Sequence, residues 1–157
     1  GEILLEAYSV QYNYHNWAII RPANIFGEYD DFTGNGTVIA STIKKIVEAT
    51  DEIEAWGDGS PIRDFIYCED VARGMLHMVE NRHNNTVNLG SGEGVKISDI
   101  ANTIGKHFDK EVKYDKSKPN GTPQKVMNIS LAKKYGWQSK IKLKEAINKT
   151  YQSFLNN

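Results

Sequence analysis

The sequence predicts an α/β fold with parallel strand pairing. Three observations lead there. Short apolar runs alternate with helical patterns along the chain, which is how layered α/β proteins are written. Two of those runs end in loops rich in Gly, Pro and polar side chains, and the C-terminal ends of strands are where open α/β sheets bind ligands. The length, 157 residues, suffices for one domain with a real core.

The elements follow in order. Residues 2–13 read as a helix with a rough apolar stripe of Ile3, Leu4, Tyr8, Val10 and Tyr12. Residues 16–21 read as a buried strand. Residues 37–49 read as a helix with Val38, Ile39, Ile43, Ile46 and Val47 apolar and Lys44, Lys45 and Glu48 polar. A short strand over 53–56 enters a Gly/Pro turn, and another covers 63–67. Residues 69–80 form a helix whose apolar face is Val71, Met75, Met78 and Val79. A strand over 86–89 leads through Gly90-Ser91-Gly92-Glu93-Gly94 into a helix over 97–108, with Ile97, Ile100, Ala101, Ile104 and Phe108 in register. A strand is expected at 112–114 and an irregular charged loop at 115–125. Short and long helices follow at 130–135 and 143–155, the last with Leu143, Ile147, Tyr151 and Phe154 on one face.

Composition removes several function classes. A net charge of −1 and a pI near 6.5 leave no electrostatic footprint for nucleic acid or a membrane surface. No apolar run approaches a membrane span. Cys68 is the single cysteine, so no intramolecular disulfide can form and the expected setting is a reducing, cytoplasmic one. The four histidines, His15, His77, His83 and His107, have no metal-pair spacing, so no metal site is expected.

Two loops carry chemistry. The first is Arg21-Pro22-Ala23-Asn24-Ile25-Phe26-Gly27. Pro22 has no N–H, so the loop cannot simply extend a ladder, and the Asn24 amide can meet a phosphate or a ribose hydroxyl. Read alone, it is also an ordinary strand exit with a turn Asn. The second runs from Trp56-Gly57-Asp58-Gly59 through Pro61-Ile62-Arg63-Asp64-Phe65. Arg63 carries a planar fork that matches a diphosphate, and Trp56 offers a flat face for a base or sugar. The plain alternatives are a surface ion pair for Arg63 with Asp58, Asp64 or Glu69, and a core or edge position for Trp56. Lys44 and Lys45 follow the loop over 30–36 and could equally be solvated helix lysines. The turn over 90–94 is G-x-G-x-G rather than G-x-G-x-x-G, and reads as a tight turn rather than a dinucleotide phosphate loop.

Together the two loops resemble the substrate-side half of the extended short-chain dehydrogenase/reductases, the NAD-dependent epimerase/dehydratase family. Ser117-Lys118-Pro119-Asn120-Gly121-Thr122-Pro123 is similar to the substrate-covering loop of its GDP-L-fucose synthase-like members, with Asn120 and Gln124 where that loop usually has Asp and Arg. The resemblance covers nearly the whole chain. It implies the C-terminal part of an NAD(P)-binding Rossmann-like enzyme, residues 1–157 comprising the last strands and helices of the sheet and the small substrate-binding domain. It implies a nucleotide-diphosphate sugar held by Asn24, Lys45, Trp56, Arg63 and Lys118, with Pro22 beside the nicotinamide. It also implies NADP or NAD bound by an upstream half, and a homodimer of the full-length parent built partly from the helix over 2–13. The chain contains no dinucleotide fingerprint, and Tyr8, Tyr12 and Tyr14 have no Lys four residues on, so no catalytic residue is expected in it, and it is expected to be inactive alone and to bind no cofactor tightly. Thr37 stands where double-epimerising relatives have a proton-donating His, and a hydroxyl is a poor general acid near neutral pH. A UDP-sugar 4-epimerase of the same family and a non-catalytic nucleotide-sugar binding module remain open.

Overall fold

The computed structural model describes residues 1–33, 36–49 and 52–156. Helix α1 (Glu2–Tyr12) is followed by strands β1 (Ile19–Pro22) and β2 (Asn24–Phe26). Helix α2 (Val38–Glu48) precedes β3 (Glu52–Trp56), β4 (Ile62–Arg63) and β5 (Phe65–Tyr67), and β5 runs directly into α3 (Cys68–Glu80). Then come β6 (Thr86–Leu89), β7 (Val95–Lys96), α4 (Ile97–His107) and β8 (Glu111–Asp115). Strand β9 (Gln124–Lys125) and helices α5 (Ser130–Lys134) and α6 (Leu143–Asn156) complete the order. Parallel pairing dominates, as expected: β1 with β6, β2 with β5, β3 with β8 and β4 with β9, while β4 and β7 are antiparallel.

The loop expected at 21–27 is two strands. Pro22 closes β1, opposite Leu89. The Ala23 N–H then donates to the Leu89 carbonyl at 2.8 Å, and the Asn24 N–H to the Asp64 carbonyl at 3.1 Å. Consecutive amides thus bond different neighbours, and the chain changes partner between β1 and β2. The first strand also starts later than expected. Trp17 is tied back to α1, its indole N–H donating to Ser9 Oγ at 3.0 Å.

Two apolar clusters form the core. The first joins α2, α4, α6, β3 and β5, with Ile39, Ile43 and Ile46 fully buried against Ile100 and Ile104. Helix α2 is capped at both ends. Thr37 Oγ1 accepts from the Ala40 N–H, and the Lys110 ammonium donates to the Ile46 carbonyl at 2.6 Å and to the Ala49 carbonyl. The second cluster packs Val87 and Leu89 of β6 against Met78, Ala132 and Trp137. Here two expectations need correction. On α3 only Val71 and Met78 of the expected face are buried, joined by Gly74; Met75 and Val79 are exposed. On α1 the only buried residue is Ser9, and Ile3, Leu4 and Val10 are more than 70% exposed. No helix among the described residues is long and apolar enough to cross a membrane.

Candidate active-site cleft

A cleft of about 700 Å³ opens where α2, β3, β4 and the end of β2 meet. Helix periodicity builds one wall: Thr37, Ser41, Thr42 and Lys45 share the face of α2 that looks into it. The ends of β2, β3 and β4 bring Asn24, Trp56 and Arg63. Four predicted site residues, Asn24, Lys45, Trp56 and Arg63, therefore line one cavity.

Their local partners differ in a way that matters. Lys44 is engaged, donating to the Thr33 carbonyl at 3.1 Å and facing Glu48 at 3.9 Å. Lys45 has only a long contact, 3.4 Å, to the Glu54 carbonyl and no carboxylate partner among the described residues. Arg63 is half-buried, donates to the Ile62 carbonyl at 2.9 Å, and likewise has no carboxylate within ion-pair distance among the described residues. The ion pairs considered for Arg63 on sequence grounds are therefore not formed. Asn24 uses one amide hydrogen on the Asp64 carbonyl at 2.7 Å, which leaves its oxygen free to accept. Trp56 is 66% exposed, so it is not a core aromatic.

The rim is a latch between two loops. Gly57 has a φ of 80°, and a Cβ there would lie 2.3 Å from Asn120 Oδ1. That oxygen accepts from the Asp58 N–H at 2.7 Å. The Asp58 carboxyl is held below the usual carboxylate range, chiefly by the hydrogen bonds from Ser60. Lys118 does not line the cavity; its ammonium sits 5.6 Å from the centre of the Trp56 ring, within cation–π range. Pro22 is exposed at the end of β1 and outside the cleft lining. The loop before α2 was expected at 30–36; residues 34 and 35 lie outside the described residues.

The glycine-rich turn after β6 has a different occupant from a phosphate. Asp64 is 1% exposed. Its carboxylate accepts from the Ser91 N–H at 2.9 Å, Ser91 Oγ at 2.6 Å, the Gly92 N–H at 3.1 Å and the Met127 N–H at 3.3 Å. The donors that such a turn offers an anion are thus taken up inside the fold. Sequence reasoning treated Asp64 only as a partner for Arg63. The available signal was a carboxylate set directly before the apolar run Phe65-Ile66-Tyr67.

The histidines have structural contacts. A ring nitrogen of His77 meets the Tyr135 carbonyl at 2.7 Å, and His83 stacks on the Tyr135 ring at 3.9 Å. Among the described residues, no group of three or more His, Cys, Asp or Glu could hold a metal ion.

The NAD dependent epimerase/dehydratase family matches residues 1–90. GDP-L-fucose synthase of Escherichia coli K12 is 33% identical over 174 residues, covering 100% of this chain and 54% of that protein. A putative UDP-glucose 4-epimerase of Methanocaldococcus jannaschii is 34% identical over 160 residues, covering 100% of this chain and 51% of its own length. Among solved structures, the UDP-glucose 4-epimerase of Thermotoga maritima with UDP-glucose superposes with a TM-score of 0.86 at 26% identity, over 99% of this chain and 50% of that one. The chain spans about half the length of the curated relatives it matches. It belongs to the NAD dependent epimerase/dehydratase family.

Proposed function

We propose that this family member is the C-terminal, substrate-binding portion of an NAD(P)-dependent nucleotide-sugar epimerase or reductase. The observation that carries the reading is the pair of cations, Lys45 and Arg63, facing one cleft without a carboxylate partner among the described residues. A half-buried guanidinium in that state suits a dianionic ligand, and its fork matches a diphosphate bidentately. Lys45 adds a point charge, Asn24 accepts from a hydroxyl, and Trp56 stacks on the base or sugar. Lys118 closes over from the rim. Pro22 takes the nicotinamide-side position that the family resemblance assigns it.

The cofactor, NADP or NAD, belongs to the full-length parent. The residues of this chain do not by themselves form a dinucleotide site. The glycine-rich turn after β6 is filled by Asp64, no G-x-G-x-x-G is present, and the Tyr-x-x-x-Lys spacing from Tyr114 to Lys118 starts on strand β8 rather than on a helix. No hydride step is therefore drawn through these residues, and the chain alone should show no turnover. The parent acts as a cytoplasmic homodimer, with α1 contributing to the contact.

Thr37 favours chemistry confined to one carbon, as in a 4-reductase or a UDP-sugar 4-epimerase. Its hydroxyl donates to Asp30 at 2.5 Å and accepts from the Ala40 N–H at 3.3 Å. Its single O–H is spent on Asp30, and none is left to deliver a proton to a ligand.

A thermal melt of the chain with millimolar UDP-glucose or GDP-mannose tests the reading. Ligand at a hundredfold its Kd stabilises the native state by about 2.7 kcal/mol. The midpoint should rise with one of the two, and Arg63→Ala should abolish the rise. No shift with either sugar, in a chain that melts cooperatively, would sink the proposal.

A further inference from the structure

We propose that Asp64 is a positioning residue that aligns the two sides of the cleft; this rests on the reading of the cleft as an anion-sugar site. Residue 64 is bonded at each of its polar positions. Its N–H donates to the Lys125 carbonyl at 3.1 Å. Its carbonyl accepts twice from Asn24, from the main chain at 3.1 Å and the side chain at 2.7 Å. One carboxylate oxygen takes both Ser91 donors, and the other takes the Gly92 and Met127 amides. A carboxylate this buried is tolerated only when so satisfied.

The geometry of those bonds is what makes the residue functional. Arg63 precedes it directly, on a strand in register with Gln124 and Lys125. Asn24 hangs from its carbonyl. Met127 follows the segment that carries Lys118 and Asn120, whose carboxamide latches the Gly57 turn. One buried anion therefore sets the relative positions of Arg63, Asn24 and the covering segment. It acts without touching the ligand, because its oxygens are consumed by three main-chain amides and the Ser91 hydroxyl. Asp70 is the internal control. It is equally buried and accepts from the Lys140 and Ile141 amides at 3.0 Å, yet it lies outside the cleft.

The test measures affinity of the folded chain for UDP-glucose and GDP-mannose, by titration well below the melting midpoint. In Asp64→Asn an NH₂ replaces one oxygen, so donors face donors at Ser91 or at Gly92 and Met127. Affinity should fall about tenfold or more, in line with the cost of sub-ångström misplacement of a binding group. Asp70→Asn should lower the melting midpoint and leave affinity within about twofold, since it shares no partner with the cleft. In an Arg63→Lys background Asp64→Asn should add less than about threefold, because the two changes act through one contact. Full additivity in that cycle, or wild-type affinity in Asp64→Asn, overturns the inference. If Asp64→Asn does not fold, Ser91→Ala, which removes the 2.6 Å bond to Asp64 together with two weaker bonds to the Glu93 main chain, must still weaken binding by about threefold for the inference to stand. A wild-type chain that binds neither sugar fails the functional reading itself, which is a separate outcome.

Discussion

The helix faces of this chain make a sharp comparison. Around α2 and α4 the apolar face is sealed: Ile39, Ile43, Ile46, Ile100 and Ile104 are each 2% exposed or less. Around α1 and α3 it is open: Ile3, Leu4, Val10, Leu76 and Val79 are each more than 60% exposed. Residue type is much the same in both regions. What differs is partnership. Ile39, Ile43 and Ile46 recur at helical intervals and meet Ile100 and Ile104 of α4, whereas Ile3 and Val10, seven residues apart on one face of α1, stay exposed and only Ser9 of that helix is buried. The sealed region also carries the cleft wall, so the ligand-facing residues stand on the better-packed part of the molecule.

Four changes test that contrast, the largest first. Ile43→Ala should cost about 2–5 kcal/mol in a denaturant melt, because its cavity cannot collapse between α2 and α4. A cost below 1 kcal/mol would mean the region is loosely packed. Gly74→Ala, on the buried side of α3, should cost about 1–3 kcal/mol. Its Cβ would lie 2.5 Å from Leu89 and 2.9 Å from the Trp137 ring, whose indole N–H is already buried without a partner among the described residues. Next is alkaline pH. Burial, with the Glu28 carboxylate nearby, pushes the Tyr67 hydroxyl well above its ordinary range. Above a pH of about 10 the unfolded chain loses a proton that the folded chain keeps, so stability falls as pH rises. Tyr67→Phe should flatten that fall, and an unchanged slope would assign it to other groups. Smallest is Leu4→Gln on α1, expected within about 0.5 kcal/mol of wild type by itself. A larger loss would show that α1 is held by contacts its exposure does not reveal.

The same contrast marks what the sequence made legible. Helices α2, α4 and α6 fall within a residue or two of their expected bounds because their apolar residues keep a helical period. For α3 the bounds were legible but the buried face was not, since Gly74, with no side chain to signal it, is what lets Trp137 approach. Strands β7 and β9 went unseen because two residues carry no period; they exist through β4. The cleft residues Asn24, Lys45, Trp56 and Arg63 were legible through the family resemblance of the loops that carry them; read alone, each also had a plain structural place, as a turn, a solvated lysine, a core or edge aromatic or a surface ion pair. Asp64 was missed because its partners, three main-chain amides and one hydroxyl at residues 91, 92 and 127, lie far along the chain where no local pattern announces them.

The parallel pairing has a consequence for how the chain comes into being. Ile19 must wait for Thr86, Asn24 for Phe65, Glu52 for Glu111 and Ile62 for Gln124. During synthesis each early strand emerges with open edges and stays so until tens of further residues have been made. Contacts this distant in sequence slow folding, because loop closure comes before any reward from pairing. The nascent chain is therefore most exposed to wrong partners in the interval before β8 and β9 leave the ribosome, and a holding chaperone would act there with the greatest effect.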